Sequence, residues 1–228
     1  MQTAVVHNSS QASSAVAWLQ LLHLADSALP IGALAHSFGI ETLVAEVGLS
    51  EADLPAFFAA WLSGTGCIEA SFCLRASATD NQQEWQSLNI ELSSFKPARE
   101  SREASLRLGK RFLALATGLI ERPCLDRQGD AHLATAFGLA GAALDMEPAM
   151  VASAYLHQTI FGAISACQRL MPLGQSSAMR LLWALKPGMI EAVEAAGTAT
   201  NEGLWNLQPM LEIASMRHPH LTTRLFIS

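Results

Sequence analysis

The sequence predicts an all-α fold, a single-domain bundle of about ten helices. Three observations point to it. Apolar residues recur at helical spacing along most of the chain. No stretch shows the sustained polar–apolar alternation of a half-buried strand. Half of the 228 residues are hydrophobic and only 15% are charged, against roughly 25% in an average domain. A sizeable core is available, and so low a charge content implies that part of the surface is covered by a partner or a second copy.

Residues 1–14 are small and polar, with Ser9, Ser10, Ser13 and Ser14, and read as a flexible tail. Residues 15–216 read as the helical domain, and residues 217–228 as an extended C-terminal tail. The first helix is expected over 15–27, with Val16, Trp18, Leu19, Leu22 and Leu24 on its apolar side and His23 partly buried. Pro30 lacks an N–H and Gly32 tolerates unusual backbone angles, so a junction follows. Helical spacing resumes after Ala35 and runs to about Gly48. Ser50 opens a third helix with Glu51 and Asp53 in its first turn, where the helix dipole favours negative charge. Gly64 and Gly66 are read as breaks. Two further helices carry Ile68, Phe72 and Leu74, then Trp85, Leu88 and Leu92.

The clearest pattern lies over residues 97–118. Ser101, Ser105, Leu108, Phe112 and Leu115 share one side, and Glu103 and Arg107 stand at i,i+4 spacing. Six basic residues and two acids fall between Lys96 and Arg111, which reads as a solvated face or as a polar seam in a protein contact. After a break at Arg122–Pro123, residues 131–144 are rich in Ala and Gly, a composition that permits close helix approach. Pro148 suits the first turn of a long helix reaching about Leu170. Helices are expected over 176–185, 187–200 and 204–214. The chain closes on an apolar stretch, unusual for a free tail.

Composition excludes several classes. The first Lys or Arg is Arg75, after six acids, so the net charge of −6 sits in the first third. Nucleic-acid binding there would need a basic face, while docking on a basic protein surface suits it. No membrane span is read, the longest clean apolar run being residues 112–120. No secretory signal is read either. Cys67, Cys73, Cys124 and Cys167 are scattered, which reads as buried, reduced thiols in a cytoplasmic protein.

The chemical motifs fail in context. Ala35-His36-Ser37-Phe38-Gly39 approaches a Gly-x-Ser-x-Gly elbow but follows no strand. Gly109-Lys110 would need Gly at 104 and Ser or Thr at 111 to form a phosphate loop, and those positions are Ala104 and Arg111. The seven histidines form no Glu-x-x-His or His-Glu-x-x-His set. His218 and His220 are too few for a tight metal site, and His36 and His132 read as hydrogen-bonded groups at packed helix ends. No catalytic residue, metal ligand or cofactor site is assigned. The residues alone describe a partner-seeking helical protein, with an all-α small-molecule-sensing regulator as the alternative.

Four separated blocks, in order, resemble the urease accessory protein UreF family. The first is Leu29-Pro30-Ile31-Gly32 with His36-Ser37-Phe38-Gly39-Ile40-Glu41. The second is Glu100-Ser101-Arg102-Glu103-Ala104-Ser105 with Gly109. The third runs from His132 to Gly138, then Phe161-Gly162 and Met171-Pro172-Leu173-Gly174-Gln175. The fourth is Arg224-Leu225-Phe226-Ile227-Ser228, where Ile227 replaces the basic residue of many members. The resemblance implies an all-helical, homodimeric, non-enzymatic chaperone. It would bind a UreD/UreH-type accessory protein and, through that complex, a UreG-type nickel-carrying GTPase, for nickel insertion into apo-urease.

Overall fold

The computed structural model describes the backbone of residues 3–199 and 209–228. It is all-α, with no strand among the described residues. Helix α1 spans Thr3–Leu24 and takes in most of the stretch read as a tail. Of its apolar residues between 14 and 24, the stretch whose side chains are described, Leu21 and Leu24 reach the core. Val16, Trp18, Leu19 and Leu22 are exposed, as is His23. The apolar side expected to pack inward is therefore mostly outward, because α1 touches the bundle chiefly through the helix Pro148–Leu170.

The junction differs from the expected continuous helix. Ala33–Ala35 forms one tight turn, and the chain then breaks at Phe38 and Gly39, whose φ angles are 51° and 90°. Helical geometry cannot pass two successive left-handed residues. Helix α2 begins only at Ile40–Thr42 and continues in wider turns through Leu43–Val47.

Helix α3, Glu51–Ser77, merges two predicted helices. It opens on a capping box between Ser50 and Asp53, as the first-turn acids suggest. Gly64 and Gly66 do not end it. They sit buried in a π-type segment, Leu62–Gly66, that carries the helix into Cys67–Ser77. Each glycine costs helix stability, and packing of this segment against the helix Lys186–Thr198 offsets that. The merged helix is long and apolar enough to cross a membrane by length and composition, and 56% of its apolar window is buried within the protein.

The remaining helices follow the expected order. They are α4 (Gln82–Ser94), α5 (Arg99–Ile120), α6 (Leu133–Ala143), α7 (Pro148–Leu170), α8 (Gln175–Ala184), α9 (Lys186–Thr198) and α10 (Pro209–Arg217). The start of the last predicted helix, residues 204–208, lies outside the described residues. On α5 the stripe Ser101, Ser105, Leu108 and Phe112 is buried as the spacing requires. Its ion pair is Arg99 with Glu103 rather than Glu103 with Arg107.

Helix α6 is the axis of the bundle, buried along nearly its whole length between α3, α5 and α7. Small residues permit this. A Cβ on Gly138 would stand 2.1 Å from the Cys73 carbonyl oxygen on α3. A Cβ on Gly109 of α5 would stand 2.0 Å from the Ala131 carbonyl oxygen, just before α6. Of the four cysteines, Cys73 and Cys167 are buried, Cys67 is half-buried and Cys124 is exposed, so the expectation of burial holds for two; all are free thiols.

Candidate functional site

The first and last sequence blocks meet. The tail returns to the junction and lies beside it through backbone and side-chain bonds. The Ile227 N–H donates to the Ala35 carbonyl at 2.8 Å. The Ser228 carbonyl accepts the N–H groups of Ser37 and Phe38, at 2.5 and 3.1 Å, and the Ser37 hydroxyl at 3.0 Å. The Ser228 hydroxyl shares a 2.7 Å bond with His36 Nδ1. The left-handed turn at Phe38 and Gly39 makes this possible by aiming two successive N–H groups at one oxygen. Gly39 is required twice over, since a Cβ there would also stand 2.7 Å from the Ser215 hydroxyl of α10.

Glu41 fastens the tail from the other side. Its buried carboxylate accepts the Leu225 N–H at 2.6 Å, the Phe226 N–H at 3.3 Å and His218 Nε2–H at 2.7 Å. One side chain thus ties α2, the turn His218–His220 and the tail together. His218 is fully buried and its Nδ1 finds no partner among the described residues. Of the two histidines of the Pro219 turn, His220 is exposed while His218 faces Glu41.

Arg169 at the end of α7 completes the seat. Its guanidinium donates to the Leu34 and Leu225 carbonyls at 3.1 and 3.5 Å and stacks 4.2 Å from the Phe226 ring centre. Phe226 and Ser228 are buried, whereas Leu225 and Ile227 are exposed, beside exposed Leu34. Arg224 is exposed. Arg111 of α5 donates to the Ile31 carbonyl at 3.2 Å and stands against Gly32, while Pro30 faces solvent.

A second polar cluster lies deeper, around residues of the second and third blocks. His132 precedes α6. Its Nδ1 meets the Ser105 hydroxyl at 3.0 Å, its Nε2 the Ser93 hydroxyl at 2.9 Å, and its N–H the Asn89 side chain at 2.8 Å. Burial, with Lys96 nearby, lowers its pKa to about 4, so the ring is neutral at physiological pH. Next to it Lys96 pairs with Glu69, and Tyr155 donates to the other Glu69 oxygen at 2.5 Å. Burial alone would raise the Glu69 pKa. The Lys96 ammonium and the hydrogen bonds outweigh it and hold the carboxyl below its usual value. Burial beside this carboxylate pushes Tyr155 well up. The cluster is thus one buried ion pair with neutral partners.

A cavity of about 120 Å³ connects the two clusters. His36 and Ser37 wall it on the tail side, Glu69, Tyr155 and Ser105 on the deep side, and apolar groups such as Phe58 between them. Gly162 lies on its rim, half-buried.

Other predicted positions stay apart. Pro172, Gly174 and Gln175 form the exposed turn from α7 to α8, where Gln175 accepts from Gln168 at 2.9 Å. Gly138 serves helix packing, and Gly109 does the same behind His132. Arg102 donates to the Lys96 carbonyl at 2.8 Å, and Glu100 adds its charge beside Arg99. Sequence reasoning missed Arg169, Glu69, Lys96 and Tyr155. Glu69 carried a weak signal, as a lone carboxylate in the apolar run from Cys67 to Leu74.

The UreF family model matches residues 49–186. The chain is 35% identical over 225 residues to "Urease accessory protein UreF" of Picosynechococcus sp., covering 92% of this chain and 99% of that protein. The protein of the same name from Nostoc sp. is 33% identical over 220 residues, covering 92% and 96%. That from Actinobacillus pleuropneumoniae is 29% identical over 222 residues, covering 91% and 97%.

Proposed function

The chain belongs to the UreF family of urease accessory proteins, and we propose from this that it is a non-catalytic scaffold for nickel insertion into apo-urease. In this reading it binds a UreD/UreH-type accessory protein directly and a UreG-type nickel-carrying GTPase through that complex. It works in the cytoplasm as a homodimer, and nickel is cargo rather than a resident cofactor.

The observation that carries the reading is the seated tail. A tail held by Glu41, His36, Ser37 and Arg169 presents Leu225 and Ile227 outward next to Leu34, as a preformed apolar strip. Preformed surface binds more tightly than disordered chain, because ordering entropy has been lost on folding. The outward face of α1, with Val16, Trp18, Leu19 and Leu22, supports pairing with a second copy.

The test is co-expression with the UreD/UreH-type and UreG-type proteins, followed by a pull-down. The full chain captures both, and a chain ending at Leu221, which keeps His218, captures less. Capture of neither by the full chain would overturn the reading.

A further inference from the structure

The tail is fastened by a buried cluster of polar side chains, and His36 stands among them. It is 6% exposed, shares its Nδ1 bond with the Ser228 hydroxyl at 2.7 Å, and lies 5.7 Å from the Phe38 ring. We propose that His36 makes the seating of residues 225–228 proton-sensitive, so that the tail lifts from the junction as the solution turns acidic.

The argument starts from the surroundings. Two arginines of α5, Arg107 and Arg111, bear on the ring electrostatically, as does His218 from the turn after α10. On α2, the Glu41 oxygens are already taken by His218, Leu225 and Phe226. Arg169 of α7 faces the same seat and adds another positive charge. Farther along, Glu46 is paired with Arg217 and does not reach the ring. A proton on His36 would therefore enter a buried corner faced by Arg107, Arg111 and Arg169, where the Glu41 carboxylate and the Ser228 main-chain oxygen already accept from other donors, while Asp26, Glu69 with Lys96, and Glu212 line the same cavity.

The docked state accordingly prefers the neutral ring. Burial, then Arg107, Arg111 and His218, lowers the His36 pKa from 6.5 to about 4. When the tail lifts, the ring regains water and binds a proton more readily. The lifted state thus takes up protons that the docked state refuses. Seating is strongest above about pH 6.5 and weakens as the pH falls toward 4, by roughly tenfold per pH unit at most for one group. Arg107 and Arg111 stay in place after release, so the full span falls below the limit set by the whole shift, about a hundredfold or less.

This inference concerns the chain alone, and its failure would leave the scaffold reading standing. Its test is amide hydrogen exchange of the isolated full chain between pH 7 and pH 4.5, corrected for intrinsic rates. The Ile227, Phe226 and Ser37 amides report the seat. Tail opening rises at least tenfold over this range. In His36→Gln, which retains a hydrogen-bonding side chain but cannot titrate, the rise flattens. Should that variant fail to seat the tail at pH 7, an NMR titration of the wild-type His36 ring decides instead. A midpoint well below 6.5 supports the inference. Tail opening independent of pH, an equal rise in His36→Gln with a seated tail, or an ordinary His36 midpoint overturns it.

Discussion

Glu41 and His218, 177 positions apart, meet at 2.7 Å with both side chains almost wholly buried. The same carboxylate takes two backbone N–H groups of the tail. Hydrogen bonds to a charged acceptor contribute about 1.5–3 kcal/mol each. Glu41→Gln keeps the shape, loses the charge and turns an amide toward donors. The expected outcome is an increase of about thirtyfold in tail amide exchange, equivalent to about 2 kcal/mol, with core amides little changed. Equal protection in variant and wild type would remove Glu41 from the fastening.

The pair of Lys96 with Glu69 of α3 is buried, and Tyr155 of α7 donates to the other Glu69 oxygen. Lys96→Met leaves Glu69 buried with Tyr155 as its remaining partner, which costs about 3–5 kcal/mol. Replacing both, as Glu69→Met with Lys96→Met, removes the stranded charge and costs less than the single change. Urea unfolding of the single and double variants measures this. A double variant weaker than Lys96→Met alone would contradict the account.

Two glycines on one helix should behave oppositely. Gly109→Ala places a methyl group 2.0 Å from the Ala131 oxygen and is expected to cost about 2–3 kcal/mol by overpacking. Gly118→Ala meets no atom within 4 Å and gains about 0.5–1 kcal/mol from helix propensity and a restricted unfolded chain. Thermal melts that rank the two in the other order would show that α5 does not approach α6 as described.

Global stability should depend on pH through His132. Burial, with Lys96, lowers its pKa to about 4, so the unfolded chain binds the extra proton first, near the unperturbed value of about 6.5. Stability is then fully present above about pH 6.5 and is lost progressively toward pH 4, by about 1.4 kcal/mol per unit at most from this one group. Glu69, held below its usual value, acts in the same direction at lower pH. Urea midpoints at a series of pH values report the slope, and midpoints that climb on acidification would oppose it.

Local physics was legible wherever local rules decide. Ser50 and Asp53 cap α3, Pro148 opens α7, and the stripe from Ser101 to Phe112 is buried. The misreadings arose where tertiary contacts override propensity. Gly64 and Gly66 look like breakers, yet buried packing carries the helix through them. Phe38 fits a helical pattern, yet its left-handed backbone supplies an N–H to Ser228. The site is a long-range assembly. Glu41 and His218, or His36 and Ser228, share no spacing that reveals their contact, so the resemblance placed both blocks without joining them.

The most direct measurement is the affinity of the purified UreD/UreH-type partner for the full chain and for a Leu225→Asp, Ile227→Asp double variant. Both side chains are exposed, so the seat and the fold should survive, which amide exchange of Phe226 verifies. The account predicts at least a hundredfold loss of affinity, since two charges would have to be buried in an apolar contact. Unchanged affinity with a seated tail would contradict the claim that the strip formed by the tail and the junction is where the partner binds.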